Sequence, residues 1–285
     1  MAYRGRIAPS PTGYLHLGHA RTFWTAYERA RAAGGVLVFR DEDLDPQRSR
    51  PEFASAMLED LRWLGIRWDE GPDVGGPFAP YIQSRRREHY LKAWRELLHC
   101  GFLYPCSCSR RDLAEAAQAP HESSRAHDPN DEPIYSGRCR HQKTSATDPS
   151  GVAWRLRVPD GTALAFDDLN VGRQEFTAGT DFGDFVIWRR DDVPAYQLAV
   201  VADDLDMQIT EVVRGADLLK STARQLLLYS ALGRTPPAFY HCPLVADPAG
   251  NRLAKRYDAL SLRRLRESGY SPDAVRDLWL GSPSG

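Results

Sequence analysis

Arg6-Ile-Ala-Pro-Ser-Pro-Thr-Gly-Tyr-Leu-His-Leu-Gly-His-Ala-Arg21 is the stretch from which the fold is read. Arg4 to Ala8 reads as a short strand, ended by Pro9-Ser10-Pro11-Thr12-Gly13, where two prolines and a glycine fix the course of a loop. From Leu17 to Ala33 apolar and alanine-rich positions recur at helical spacing, and Gly34-Gly35 stops that helix before the strand Val36-Leu37-Val38-Phe39. Strand, helix and strand make a βαβ unit, which predicts an α/β fold with a Rossmann-like parallel sheet.

His16 and His19 sit one helical turn apart at the start of that helix, on one face, so both imidazoles can point at one ligand. A helix N-terminus after a parallel strand favours phosphate, through free backbone N–H groups and the helix dipole. Gly18 between them allows a nucleotide close to the backbone. Two imidazole donors there would stabilise charge building on an α-phosphorus, a positioning role. Spacing alone also fits two surface histidines or two metal ligands.

Beyond this unit, Pro51 to Leu64 and Ser84 to Cys100 read as amphipathic helices, with the Gly/Pro-rich connection Gly71 to Pro80 between them. From Tyr104 to about Lys143 the character changes to cysteines, histidines and the polar run Gln118 to Asp131, which marks an insertion. Trp154 to Val158 and Ala163 to Asp168 alternate apolar and polar around Pro159-Asp160-Gly161 and read as a hairpin. Ala195 to Val201 and Ile209 to Arg214 are strand-like, and Ser221 to Leu232 is helical. The expected organisation is a catalytic domain of residues 1–100 and 192–245, an inserted connective subdomain of residues 101–191, and a lysine-containing loop with a short helical segment over 246–285.

Composition narrows the function. The chain has 285 residues, 42% hydrophobic and 26% charged, with a formal net charge of -1, so it gives no support for non-specific polyanion binding. No stretch approaches the roughly 20 apolar residues of a membrane span, and the start lacks a signal-peptide core. A cytoplasmic, membrane-free, monomeric protein is expected. Five cysteines, an odd number, fit a metal or free thiols better than a disulfide framework, with Cys100 and Cys242 read as buried thiols. Cys106-Ser-Cys108 and Ile134-Tyr135-Ser-Gly-Arg-Cys139 together offer three thiolates and one phenol, a possible tetrahedral set for zinc; free surface thiols fit the same spacing.

Arg6 to Arg21 resembles the HIGH-signature region of glutamyl- and glutaminyl-tRNA synthetases, which are class I aminoacyl-tRNA synthetases. Asn251-Arg252-Leu253-Ala254-Lys255-Arg256 is similar to the family's Lys-Met-Ser-Lys-Ser loop: Lys255 matches the second lysine, while Arg252, Ala254 and Arg256 replace the first lysine and the two serines. Positive charge that offsets the triphosphate is kept, and the resemblance implies a nucleotide site of His16, Gly18, His19 and Lys255. Glutamate has two carboxylates and an ammonium, so its pocket needs arginine and an acid; Arg6, Ser10 and Arg40-Asp41-Glu42-Asp43 stand at the strand ends where open α/β sheets bind ligands. Carried over residue by residue, the family's amino-acid ligands fall on Arg6, Ala8, Ser10, Glu42, Tyr196 and Arg214, the last two in segments similar to Tyr-His-Leu-Ala and Val-Ile-Arg-Gly-Glu-Asp. Two arginines favour an anionic side chain, since an arginine facing an amide loses a charge-assisted bond of roughly 1.5–3 kcal/mol.

The resemblance also implies one structural zinc held by Cys106, Cys108, Cys139 and Tyr135, the tyrosine in preference to His127 or His141. Little chain follows Lys255, so no anticodon-binding domain is expected; in this the chain resembles the short members of the family, the glutamyl-queuosine tRNA(Asp) synthetases. That resemblance implies ATP-Mg-dependent activation of L-glutamate without RNA and transfer to queuosine in the anticodon loop of tRNA(Asp). The alternatives are a glutamyl or glutaminyl enzyme acting at the acceptor end, and a non-catalytic synthetase relative.

Overall fold

A computed structural model describes residues 2–109, 134–244 and 261–280. Its central sheet is parallel, in the order β2-β1-β8-β9, built from β1 (Arg4–Ile7), β2 (Val36–Phe39), β8 (Glu211–Gly215) and β9 (Ala238–Cys242). Helix α1 (Leu17–Ala32) joins β1 to β2 within the residues the apolar spacing selects, and it packs on β1 and β8. Helix α2 (Pro51–Leu64) begins on proline, which loses no helical hydrogen bond at that position, and ends on Gly65 at φ 99°, a conformation that favours glycine. A single 3-10 turn, Gln83–Arg85, precedes α3 (Arg87–His99). Cys100 follows the last turn of α3 and is exposed, contrary to the buried thiol expected there; Cys242, inside β9, is buried.

Strand order reverses between β1 and β8. The chain leaves β1 toward β2 on one side and later returns to place β8 and β9 on the other. Loops leaving the carboxyl ends of β1 and β8 therefore diverge and leave a crevice, the usual ligand position in such sheets.

Between the two halves lie a three-stranded antiparallel sheet, β3 (Leu103–Cys106), β4 (Ala153–Leu156) and β7 (Phe185–Trp188), ordered β3-β4-β7, and a hairpin of β5 (Ala163–Asp168) with β6 (Gly172–Thr177). The hairpin expected across Pro159-Asp160-Gly161 does not form. Trp154 and Leu156 are buried and pair β4 with β3 and β7, while β5 turns back at Asp168, whose Oδ1 accepts the Asn170 and Val171 N–H groups ahead of Gly172 at φ 72°.

The strand-like segment Ala195 to Val201 is instead the start of helix α4 (Tyr196–Asp206). A short apolar run has no period that separates a buried strand from a buried helix. Here Leu198 to Val201 are buried, and Asp203 and Asp204 extend the helix because arginines await them: Arg86 Nε lies 2.7 Å from Asp203 and Arg40 Nη1 lies 2.7 Å from Asp204. Among the described residues the remaining α-helices are α5 (Leu219–Ala231), α6 (Leu262–Glu267) and α7 (Pro272–Leu280). Among the described residues no helix is long and apolar enough to cross a membrane.

Candidate functional site

A cavity of about 510 Å³ opens at the strand-order reversal. Its lining includes Arg6, Ala8 and Ser10 from β1 and the following loop, His16, Gly18 and His19 from the start of α1, Glu42 after β2, Tyr196 on α4 and Arg214 at the end of β8. All nine of these sequence-selected residues thus share one cavity. Lys255 lies outside the described residues, but the residues flanking its segment stand at the cavity: Leu244 lines it, and Ser261 bridges to His16.

The histidine end is built by the helix start itself. His16 is the N-cap of α1; its Nδ1 accepts the Gly18 N–H at 3.1 Å, and its own N–H points to His19 Nδ1 at 3.5 Å. Nδ1 of each ring therefore accepts, which leaves Nε2 to carry the proton and donate. The rings stack with centroids 3.7 Å apart. Protein packed around the cavity wall desolvates both rings, and for His19 the neighbouring His16 adds to it, which holds both below the ordinary imidazole pKa as neutral donors even though His19 keeps an exposed edge. A Cβ on residue 18 would come within 3.1 Å of the His16 ring, so glycine here makes room for the cap as well as for a ligand.

The floor of the cavity holds buried charge. Arg6 donates through Nη1 to the Val213 carbonyl at 3.0 Å, yet its Nε is buried without a hydrogen-bond partner, Asp204 standing 3.8 Å away. Arg214 donates through Nη2 to Thr222 at 2.6 Å and through Nε to His241 at 3.2 Å, while its Nη1 is buried without a hydrogen-bond partner. Burial, opposed by Tyr196 and reinforced by the Arg6 charge, pulls the Arg214 pKa down. Glu42 is anchored by Arg40, whose Nη2 reaches it at 3.0 Å, and burial still raises the Glu42 pKa. A cavity lined by two arginines that each keep one nitrogen without a hydrogen bond, with a carboxylate nearby and neutral imidazoles at its other end, is matched to a ligand with a carboxylate, an ammonium and phosphates.

Sequence reading did not find Arg40's partners Asp203 and Asp204, nor Asp168, Thr222 and His241 behind Arg214. Asp203 and Asp204 follow an apolar run as a bare charged pair, and His241 is one polar residue in the buried strand Phe239-Tyr-His-Cys242. A single polar residue in an otherwise apolar strand does not by itself single out a partner for Arg214.

Some distance along the chain, Cys106, Cys108 and Cys139 bring their Sγ atoms within 4.8 Å of one another. Cys108 and Cys139 Sγ are 3.6 Å apart, and Tyr135 Oη lies 3.5 Å from both Cys106 and Cys108 Sγ. Tetrahedral zinc with bonds of about 2.3 Å to sulfur sets its sulfurs ~3.8 Å apart, so the group fits such an ion with little movement. Buried Arg155 donates to Cys106 Sγ at 3.4 Å and lies 3.9 Å over the Tyr135 ring, where it would offset the negative charge of thiolate ligands. His141 is not in this cluster, and His127 lies outside the described residues.

Residues 2–280 match the catalytic-domain model of class I tRNA synthetases for E and Q. The chain is 50% identical over 271 residues to a glutamyl-Q tRNA(Asp) synthetase of Nitratidesulfovibrio vulgaris, covering 93% of this chain and 82% of the relative. A second protein of that name, from Symbiobacterium thermophilum, is 50% identical over 276 residues, 95% of this chain and 83% of its own. Among solved structures, a glutamate tRNA ligase of Elizabethkingia meningosepticum in complex with its amino acid superposes with a TM-score of 0.77 at 30% identity; this chain is covered to 95% and spans 54% of that ligase.

Proposed function

Since the chain belongs to the class I tRNA synthetase family for E and Q, we propose that it activates L-glutamate with ATP, without RNA, and transfers the glutamyl group to queuosine in the anticodon loop of tRNA(Asp). The observation that carries the activation step is that Arg6 and Arg214, each with one buried nitrogen that makes no hydrogen bond, line one cavity with Glu42 and the two histidines. Arg6 and Arg214 hold the side-chain carboxylate, Tyr196 and Ser10 flank it, Ala8 leaves room, and Glu42 receives the ammonium.

ATP-Mg lies along the start of α1, its phosphates on the Nε2–H groups of His16 and His19 and on Lys255, with Gly18 beneath. One oxygen of the glutamate α-carboxylate then bonds to the α-phosphorus as the bond to pyrophosphate breaks, and pyrophosphate leaves with the electron pair. The imidazoles meet the charge gathering on the α-phosphoryl oxygens and need give up no proton. In the second step a queuosine hydroxyl attacks the glutamyl carbonyl, loses its proton, and AMP departs.

Two relatives named glutamyl-Q tRNA(Asp) synthetase, of which this chain covers more than four fifths, support the queuosine acceptor. Zinc at Cys106, Cys108, Cys139 and Tyr135 belongs to the same proposal, as a structural ion that ties Tyr135 and Cys139 to β3 within a connective subdomain of residues 101–191. Glutamate-dependent ATP–pyrophosphate exchange in the absence of RNA tests the activation step. Exchange with glutamate and none with glutamine supports it; no exchange by folded, zinc-loaded protein overturns it.

A further inference from the structure

Behind Arg214 runs a chain of buried polar groups outside the cavity lining. Asp168, at the end of β5, places Oδ2 2.6 Å from His241 Nδ1; the His241 N–H also points to its Oδ1 at 3.2 Å. His241 Nε2 lies 3.2 Å from Arg214 Nε and 3.1 Å from Thr222 Oγ1, and Thr222 Oγ1 accepts Arg214 Nη2 at 2.6 Å. His241, Thr222 and the Asp168 side chain are inaccessible to solvent.

Chemistry fixes where the protons are. An arginine Nε–H can only donate, so His241 Nε2 accepts; an ionised carboxylate can only accept, so His241 Nδ1 carries the proton. The imidazole is therefore neutral and held in one tautomer by Asp168. Burial and the Arg214 cation keep His241 below its ordinary pKa despite the nearby carboxylate. Burial works to raise the Asp168 pKa, but hydrogen bonds from His241 and from backbone N–H groups hold it low.

We infer that Asp168 and His241 are positioning residues for substrate selection: they occupy Arg214 Nε and turn the guanidinium so that Nη1 alone faces the cavity. With Nε taken by His241 and Nη2 by Thr222, the fork has one fixed orientation, and its remaining nitrogen meets a ligand carboxylate without a prior search among rotamers. Asp168 arrives on the β5–β6 hairpin, so that hairpin, remote from the βαβ unit, contributes to how the amino acid is chosen.

This inference rests on Arg214 binding the glutamate side chain, and the test separates the two. His241→Phe, His241→Gln, Asp168→Asn and Arg214→Gln are compared in pyrophosphate exchange, with melting temperatures taken on each. His241→Phe and Asp168→Asn are expected to raise the KM for glutamate about tenfold or more, while the KM for ATP and kcat at saturating glutamate stay within about twofold. His241→Gln, which keeps an acceptor amide, recovers part of the loss. Arg214→Gln raises glutamate KM at least as much. If Arg214→Gln raises it and both His241→Phe and Asp168→Asn do not, the positioning role is overturned; equal loss for ATP and glutamate overturns it too. An unmoved glutamate KM in Arg214→Gln would instead remove the reading of the pocket on which the inference stands.

Discussion

The imidazoles of His16 and His19 lie stacked, centroids 3.7 Å apart, and each takes a backbone N–H at Nδ1 so that Nε2 is left to donate. One tripeptide step of sequence thereby caps a helix and places two neutral donors in the cavity wall. Replacing either with alanine is expected to lower exchange kcat by about 10²-fold, the usual cost of one donor to a charged transition state. His16→Asn, which can still cap α1, should preserve the melting temperature while losing most of that activity.

The same pair makes stability depend on pH. Both histidines are held below the ordinary imidazole pKa, so near and below pH ~6.5 the folded chain binds fewer protons than the unfolded chain. Their contribution is complete above that value and is lost as pH falls through it. Melting temperature should therefore drop between about pH 7 and 5.5, and drop less in a His16→Asn, His19→Asn double variant; an identical drop in both proteins removes the assignment.

Asp41 works in the opposite direction. It is buried, its Oδ1 has no hydrogen-bond partner, and burial together with Asp43 and Glu42 pushes its pKa up to about 7. A carboxyl raised this far is neutral in both states at low pH, and its ionisation costs stability as pH rises from about 4 toward 7. Asp41→Asn should raise the melting temperature at pH 8 and change it little at pH 4.5.

Arg6 tests the carboxylate pocket from its other side. With Nε buried and making no hydrogen bond, Arg6→Lys removes a fixed donor without removing charge. Loss of one charge-assisted bond of roughly 1.5–3 kcal/mol corresponds to an increase of about 10- to 150-fold in glutamate KM. The KM for ATP should stay near its starting value.

Zinc analysis of the purified chain should find one equivalent. Cys139→Ser is expected to lose it and to lower the melting temperature, because an ion held there would join Tyr135 and Cys139 to the strand carrying Cys106. Tyr135→Phe keeps three thiols and should hold zinc more weakly against a chelator, giving it up faster than the parent chain.

Much of the site was legible in the sequence because the groups that meet the ligand sit at strand ends and a helix start, where turn chemistry announces them. Pro9 to Gly13, Gly34-Gly35 and the spacing of His16 and His19 fixed the βαβ unit and its loop. What escaped depended on contacts distant in the chain. Whether Ala195 to Val201 was strand or helix turned on Asp203 and Asp204 meeting Arg86 and Arg40, more than a hundred residues away. The hairpin was assigned to the wrong partner because β4 and β5 share an alternating pattern, and only the burial of Trp154 and Leu156 separates them. The Asp168–His241–Arg214 chain joins three strands and has no local pattern at all.

The central claim is tested most directly by incubating the chain with ATP, labelled glutamate and tRNA(Asp), with and without queuosine, then cutting the RNA to locate the label. Label in the anticodon-loop fragment, present only when the RNA carries queuosine, is the predicted result. Label on the terminal ribose, or equal labelling of unmodified tRNA(Asp), contradicts it.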